Sequence, residues 1–182
     1  AGDGVVVPAL KAGVDVSRLR RIEKDGAAPF LVLRCNGVRI FCRGGNWGMD
    51  DGMKRVSRER LEPAFRLHRE EGFNMVRNWT GESTEELFYT LCDEYGLLVW
   101  NDFWLSTEGY NQNVNDEELF MANARETVRR FRNHPSLAVW CPRNEGYATP
   151  TLEPRLAALI AREDGTRFYS PNSRYMNLRT SG

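Results

Sequence analysis

Beyond residue 56, apolar side chains follow two alternating rhythms: short continuous runs, and longer stretches where they recur at helical spacing. Phe73 to Arg77, Leu97 to Trp100, Leu137 to Trp140 and Phe168 to Ser170 read as strands. Between them lie four helical patterns. The first falls between Ser57 and Glu71, with Leu61, Ala64, Phe65 and His68 on one side, Gly72 as a stop, and Pro63 leaving its start open. Ser83-Thr84-Glu85-Glu86 reads as a capping box for the second, whose Leu87, Phe88, Leu91 and Cys92 share a face that ends at Gly96. Asn115 and Glu118 are the expected caps of the third, which points Phe120, Ala124, Val128 and Phe131 inward and stops before His134-Pro135. The last runs near Leu152 to Arg162.

Upstream, FLVLRCNGVRIFCR, from Phe30 to Arg43, places two apolar runs around Asn36-Gly37, the preferred pair for a two-residue hairpin turn. Counting the second arm of that hairpin, five strands alternate with helices, which predicts an α/β fold with a parallel sheet and crossover helices. In such sheets chemistry collects beyond the C-terminal ends of the strands, where loops vary above a rigid floor.

Composition narrows the partner. The chain has 182 residues, enough for one domain with a sizeable core, and its 25 basic side chains balance 25 acidic ones. No charge excess draws it to nucleic acid or to an anionic membrane, so a small or neutral partner is expected. No stretch reaches the roughly 20 apolar residues of a membrane span. Cys35, Cys42, Cys92 and Cys141 lack CxxC spacing, and with only His68 and His134 no metal cluster or redox motif can be assembled; no cofactor is called for. The cysteines read as buried thiols. The start, AGDGVVVPALKAG, lacks a signal pattern, which fits either a leader already removed or a chain that begins within a longer protein.

The strand ends carry the candidate chemistry. Arg43, Asn46 and Trp47 follow the first strand, Arg77, Asn78 and Trp79 the second, Asp102 and Trp104 the third, and Asn144 and Glu145 the fourth. Indole faces beside carboxylates and amides suit a sugar, whose C–H face stacks while its hydroxyls need fixed donors and acceptors. Trp100 and Trp140, inside strands, read as core; Trp79 and Trp104, past the ends, read as stacking candidates. Glu145 is open to two readings: a solvated loop glutamate, or a general acid whose pKa is raised by the apolar Trp140 and a neighbouring anion. Asn144 would orient a ligand beside it. Arg77 can pair with Asp102 or with Glu145, and His134 sits at the wrong end of its strand for catalysis.

Four segments, RGGNWG (Arg43–Gly48), MVRNW (Met75–Trp79), FYTLCDEYGLLVWNDFW (Phe88–Trp104) and RNHPSLAVWCPRNEG (Arg132–Gly146), together resemble glycoside hydrolase family 2 in order and spacing. The resemblance covers roughly residues 30 to 182. It implies a retaining exo-acting β-glycosidase with a (β/α)8 TIM barrel preceded by β-sandwich domains. It makes Glu145 the acid/base and Asn144 a contact to the sugar's 2-hydroxyl, with Arg77, Asn78, Trp79, Asp102, Trp104 and Trp47 around the substrate. Trp79 and Asp102 look more like the β-mannosidase and exo-β-glucosaminidase branch than the β-galactosidase or β-glucuronidase branches. Pro142 departs from the small residue usual before the catalytic pair.

On this reading residues 1–29 are the tail of a sandwich domain or a linker, supported by LRRIEK at Leu19 to Lys24, and residues 30–182 are the N-terminal part of the barrel, about five parallel strands. The family supplies its nucleophilic glutamate from a later strand, so the isolated segment is expected to be inactive. Its expected partners are a carbohydrate substrate and either the rest of the barrel with its flanking sandwiches or another chain covering the open sheet edges. β-Galactosidase-type specificity and a non-catalytic carbohydrate-binding segment are the alternatives. A nucleotide-binding domain is disfavoured, because no GxGxxG or GxxxxGK[ST] follows a strand.

Overall fold

The computed structural model describes residues 21–25, 28–48, 51–106, 113–146, 148–173, 175–176 and 179–180. Most of the expected sandwich tail of residues 1–29, namely 1–20 and 26–27, and the middle of the polar loop, residues 107–112, lie outside them.

Three antiparallel strands come first: β1 (Arg21–Asp25), β2 (Ala28–Cys35) and β3 (Val38–Ile40), in that order in their sheet. The β2–β3 turn is the expected one, with Asn36 and Gly37 at φ 51° and 85°, the left-handed geometry that matches the twist of paired strands. β3 does not enter the parallel sheet, contrary to the expectation for the hairpin's second arm. The first parallel strand is instead β4 (Gly44–Trp47), a segment whose glycines give no apolar signal. Gly44 is required there: a Cβ would lie 1.8 Å from the Met75 carbonyl oxygen of the next strand.

β4 leads a five-stranded sheet continued by β5 (Met75–Asn78), β6 (Leu98–Asp102), β7 (Leu137–Cys141) and β8 (Phe168–Tyr169), neighbours in chain order and parallel throughout. Helices α1 (Arg58–Glu70), α2 (Glu86–Tyr95), α3 (Glu117–Phe131) and α4 (Leu152–Glu163) make the crossovers. A short antiparallel pair, β9 (Tyr175–Met176) and β10 (Arg179–Thr180), follows.

Two caps differ from the sequence reading. Ser83 does not open α2; it is buried, and its backbone N–H donates to Asn78 Oδ1 while its carbonyl accepts from Asn78 Nδ2, so the helix begins three residues later. The cap of α3 is Asp116, whose Oδ1 accepts from the Leu119 N–H at 2.9 Å, rather than Asn115. Pro63 sits within α1, which continues through it: the missing N–H leaves only the carbonyl of exposed Glu59 without its helical partner.

Alternation along the strands separates two faces. The outer face packs against the helices in a core that joins Val76, Val99, Leu137 and Trp140 to Phe65, Phe88, Val128, Phe131 and Leu156. Full burial of each large side chain stabilises by about 1.5–3 kcal/mol. The inner face carries Leu98 and Val139, joined by Ala138 at an irregularity in the β6–β7 pairing, and Leu33 and Cys35 of the β2–β3 hairpin cover them near the strand beginnings. Further along, the same face opens into a cleft of about 300 Å³ lined by Asn46, Arg77, Trp100 and Ser173 among others. Among the described residues no helix is long and apolar enough to cross a membrane.

Candidate active site

Asp102 is the last residue of β6, and its side chain has no exposed surface. It accepts from Arg77 Nη2 at 2.6 Å and from Arg77 Nε at 3.1 and 3.2 Å to its two oxygens. Trp100 Nε1 donates to Oδ1 at 2.9 Å and the Thr80 N–H to Oδ2 at 3.1 Å. Burial nonetheless raises the carboxyl above its ordinary range, with the charge and hydrogen bonds of Arg77 and the donors from Thr80 and Trp100 pulling the other way. The Thr80 donor is delivered by an unusual turn. Thr80 interrupts the 3-10 segment Trp79–Gly81 at φ 49°, and Gly81 follows at φ 65°. A Cβ on Gly81 would lie 2.6 Å from the Asp102 carbonyl oxygen and 3.1 Å from the Trp104 indole, so only glycine lets this turn close onto the end of β6.

Arg77 reaches a third strand end: its Nη2 also donates to Asn144 Oδ1 at 2.8 Å. Of the two partners open to Arg77 in the sequence, Asp102 is therefore the one it takes. The loop after β7 is tied in by backbone bonds as well. The Asn144 N–H donates to the Leu105 carbonyl at 2.8 Å, and the Glu145 N–H to Ser173 Oγ at 2.9 Å. Glu145 is half-buried, with φ 45°. A non-glycine residue in the left-handed region costs on the order of 1–3 kcal/mol and persists where its surroundings over-determine it, a condition that concentrates at functional sites.

Arg77, Asp102, Asn144 and Glu145 are thus brought together at the C-terminal ends of β5, β6 and β7, and Trp79 stands half-buried in the adjoining turn. Three other expected contacts turn away. Asn78 is fully buried on the outer face, where its amide meets Ser83, Tyr89 Oη and Asn101; no ligand reaches it. Trp47 lies within β4, its ring 4.8 Å from Phe65 and 5.7 Å from Phe88 in the helix-side core. Trp104 packs against Phe103 and Phe120 on that same side. Arg77 and Asn78 are neighbours in one strand, so one points in and the other out.

Two contributors escaped the sequence reading. Trp100 lines the cleft and donates to Asp102, although its place inside a strand read as core; Trp140 is core as expected, stacked on Phe103. The signal for Trp100 was the two-residue period that aligns it with Asp102. Ser173 lies in the loop after β8 and had no pattern to announce it. His134 is structural: it bonds Asp93 and Glu86 at the strand beginnings. Among the described residues no group of three or more His, Cys, Asp or Glu is placed to hold a metal.

Known proteins are similar to this chain in sequence and fold. A mannosylglycoprotein endo-beta-mannosidase of Lilium longiflorum is 39% identical over 137 residues, which cover 69% of this chain and 14% of that protein. Beta-mannosidase B of Thermothelomyces thermophilus is 40% identical over 114 residues, 62% of this chain and 13% of that protein. The crystal structure of a beta-D-mannosidase from Dictyoglomus thermophilum superposes with a TM-score of 0.75 at 31% identity, covering 86% of this chain and 22% of that one. The chain spans a small part of the length of each. Residues 32–173 match the family described as glycosyl hydrolases family 2, TIM barrel domain, and the parallel sheet in chain order agrees with a barrel: the chain belongs to glycoside hydrolase family 2, as part of its TIM barrel.

Proposed function

We propose that this chain carries the acid/base half of a retaining β-glycosidase site that cleaves terminal β-mannosides. The observation that supports this most directly is the placement of Glu145. It stands at the C-terminal end of β7 in left-handed backbone, its N–H bonded to Ser173, beside an Asn144 whose amide oxygen is bonded by Arg77.

Retaining hydrolysis uses two carboxyl groups about 5 Å apart. In the first step Glu145 gives its proton to the glycosidic oxygen as the bond to the anomeric carbon breaks and a nucleophilic carboxylate takes that carbon. In the second, the Glu145 carboxylate removes a proton from water as it attacks the glycosyl ester, which frees the nucleophile and restores the acid. Asp102 is unsuited to be the nucleophile, because it is wholly buried and engaged by Arg77, Thr80 and Trp100. That carboxylate is assigned to a later barrel strand outside these 182 residues, so the isolated segment should not turn over substrate.

Arg77 and Trp100, which line the cleft, with Asn144 and Trp79, form the sugar-facing wall of this reading. The β-mannoside assignment draws on the names of the relatives, all of them mannosidases among the three compared. Residues 1–29 belong to a preceding sandwich domain or linker, and the rest of the barrel covers the edges of β4 and β8.

The test is Glu145→Gln in the intact enzyme. Hydrolysis of β-mannosides with poor leaving groups should fall by about 10²–10⁴-fold, and that of activated nitrophenyl β-mannoside much less. Equal losses for both would overturn the acid role. Assay of the wild-type protein on nitrophenyl β-mannoside, β-glucosaminide and β-galactoside separates the sugars.

A further inference from the structure

Asp102 invites the reading of a substrate contact, since it ends a strand at the mouth of the barrel. Its surroundings argue otherwise. The side chain has no exposed surface, and its oxygens are met by donors from Arg77, Thr80 and Trp100. A sugar hydroxyl has no route to it. Arg77, by contrast, lines the cleft, and among the described residues its guanidinium bonds to Asp102 and Asn144 alone. One nitrogen, Nη2, carries both of the shortest of these bonds, at 2.6 and 2.8 Å. Remove the carboxylate and nothing else described holds the guanidinium in the position from which it meets Asn144.

We infer that Asp102 is a positioning residue: through Arg77 it fixes the amide of Asn144, and with it the loop that presents Glu145 to the glycosidic bond. This rests on the acid/base reading of Glu145. A second feature, independent of Arg77, supports it. Thr80 and Gly81 both adopt left-handed backbone, and the turn they form serves to bring the Thr80 N–H within 3.1 Å of Asp102. Backbone strain is thereby spent on holding a carboxylate that has no exposed surface, as a support does for a geometry needed elsewhere. Arg77 also fixes which way the Asn144 amide faces: Oδ1 accepts from the guanidinium, so the Nδ2 donors point away from it.

The experiment uses the intact enzyme with nitrophenyl β-mannoside and a β-mannoside of poor leaving group. Asp102→Asn keeps the shape and removes the charge; it should lower kcat about 10- to 100-fold, with KM changed little and the loss greater for the poor leaving group. In an Asn144→Ala background the same substitution should cost almost nothing more, because both changes cut one chain of contacts. Arg77→Lys, which keeps the charge but cannot bridge two partners from a planar fork, should reproduce the kcat loss and serves if Asp102→Asn folds poorly. Additive losses in the double variant, a rise in KM at constant kcat, or wild-type activity of Arg77→Lys would overturn the inference. Glu145→Gln, measured alongside, separates the two readings. If it lacks a leaving-group dependence, both fall; if it shows one while Asp102 and Asn144 do not couple, only the positioning role falls.

Discussion

Two buried aspartates lie toward opposite ends of the same parallel sheet, and each binds an arginine. Asp102, at the C-terminal end of β6, holds Arg77 at 2.6 Å; Asp164, just before β8, holds Arg167 at 3.2 Å, and neither carboxylate side chain is exposed. Their acidities diverge. For both, burial is the largest influence and raises the pKa. At Asp102 it prevails; at Asp164 the hydrogen bonds from Thr166 and Trp140 and the charge of Arg167 outweigh it and hold the carboxyl below its ordinary range. The partners differ in what else they hold. Arg167 ties the pair to the backbone, donating to the Leu137 and His134 carbonyls at the start of β7, whereas Arg77 spends its other bond on the Asn144 side chain and lines a cleft. One pair is a fastening of the fold, and the other is a costly arrangement kept where chemistry is expected.

The largest effect on stability should come from unfastening the first pair. Arg167→Ala leaves the Asp164 side chain buried beside Trp140 and removes donors from the Leu137 and His134 carbonyls, so a loss of about 3–5 kcal/mol is expected in urea or thermal unfolding. Arg77→Ala should cost clearly less, since its side chain is 13% exposed and water can reach the site it vacates. Equal losses would erase the distinction between the two ends. Next in size is Gly81→Ala, which sets a methyl group against the Asp102 carbonyl and the Trp104 ring, at a cost of about 1–3 kcal/mol.

Acid titration sharpens the contrast further. Asp164 is depressed in the folded state, so its contribution is fully present above the unfolded value of about 3.9 and is lost as pH falls through the folded value. Asp102 has the opposite sign: its folded value is raised, so ionising it erodes stability as pH climbs from about 3.9 through that value. Asp164→Asn should therefore weaken the protein at neutral pH and flatten its loss of stability in acid. Asp102→Asn should cost less at neutral pH than Asp164→Asn does, because desolvation already disfavours the charge it removes. Unfolding free energies of the two variants across the carboxylate range would check both signs; matching profiles would refute the comparison.

Much of this was legible in the chain, for reasons that also explain the misses. The alternation of apolar runs with helical stretches placed β5 to β8 and all four helices within a few residues, because burial on one or two faces leaves a periodic trace. β4 left none: Gly44 is present because the backbone of the neighbouring strand comes so close, and that requirement is tertiary. Strand-end position singled out Arg77, Asp102, Asn144 and Glu145, which the fold brings together, but it does not say which way a side chain points. Asn78 was misassigned for that reason, one residue out of phase with Arg77 and turned toward Tyr89 and Asn101. Trp47 failed differently, because without a visible strand its phase could not be counted. Ser173 depends on a loop meeting the Glu145 backbone across 28 residues, a contact that no local pattern encodes.

The smallest expected effect concerns His134, on the fastening side of the comparison. Its Nδ1 lies 2.6 Å from Asp93 and its Nε2 2.8 Å from Glu86, while Asp93 also accepts from the Ser136 N–H. Partial burial pulls the imidazole pKa down, but the bonds to Asp93 and Glu86 outweigh it and raise the net value. A raised value means that the stabilisation is fully present below the unfolded pKa of about 6.5 and disappears as pH rises through the folded one. The amount is modest, roughly 1 kcal/mol, because Glu86 is 53% exposed and screened by water. His134→Gln should accordingly lower stability most in mildly acidic solution and least in alkaline solution. A difference that stays constant with pH would mean that the ring serves only by packing on Tyr89 and Phe131, whose centroids lie 5.4 and 6.1 Å away. Activity of the intact enzyme should not follow the same profile, since this imidazole sits at the strand beginnings, at the far end of the sheet from Glu145.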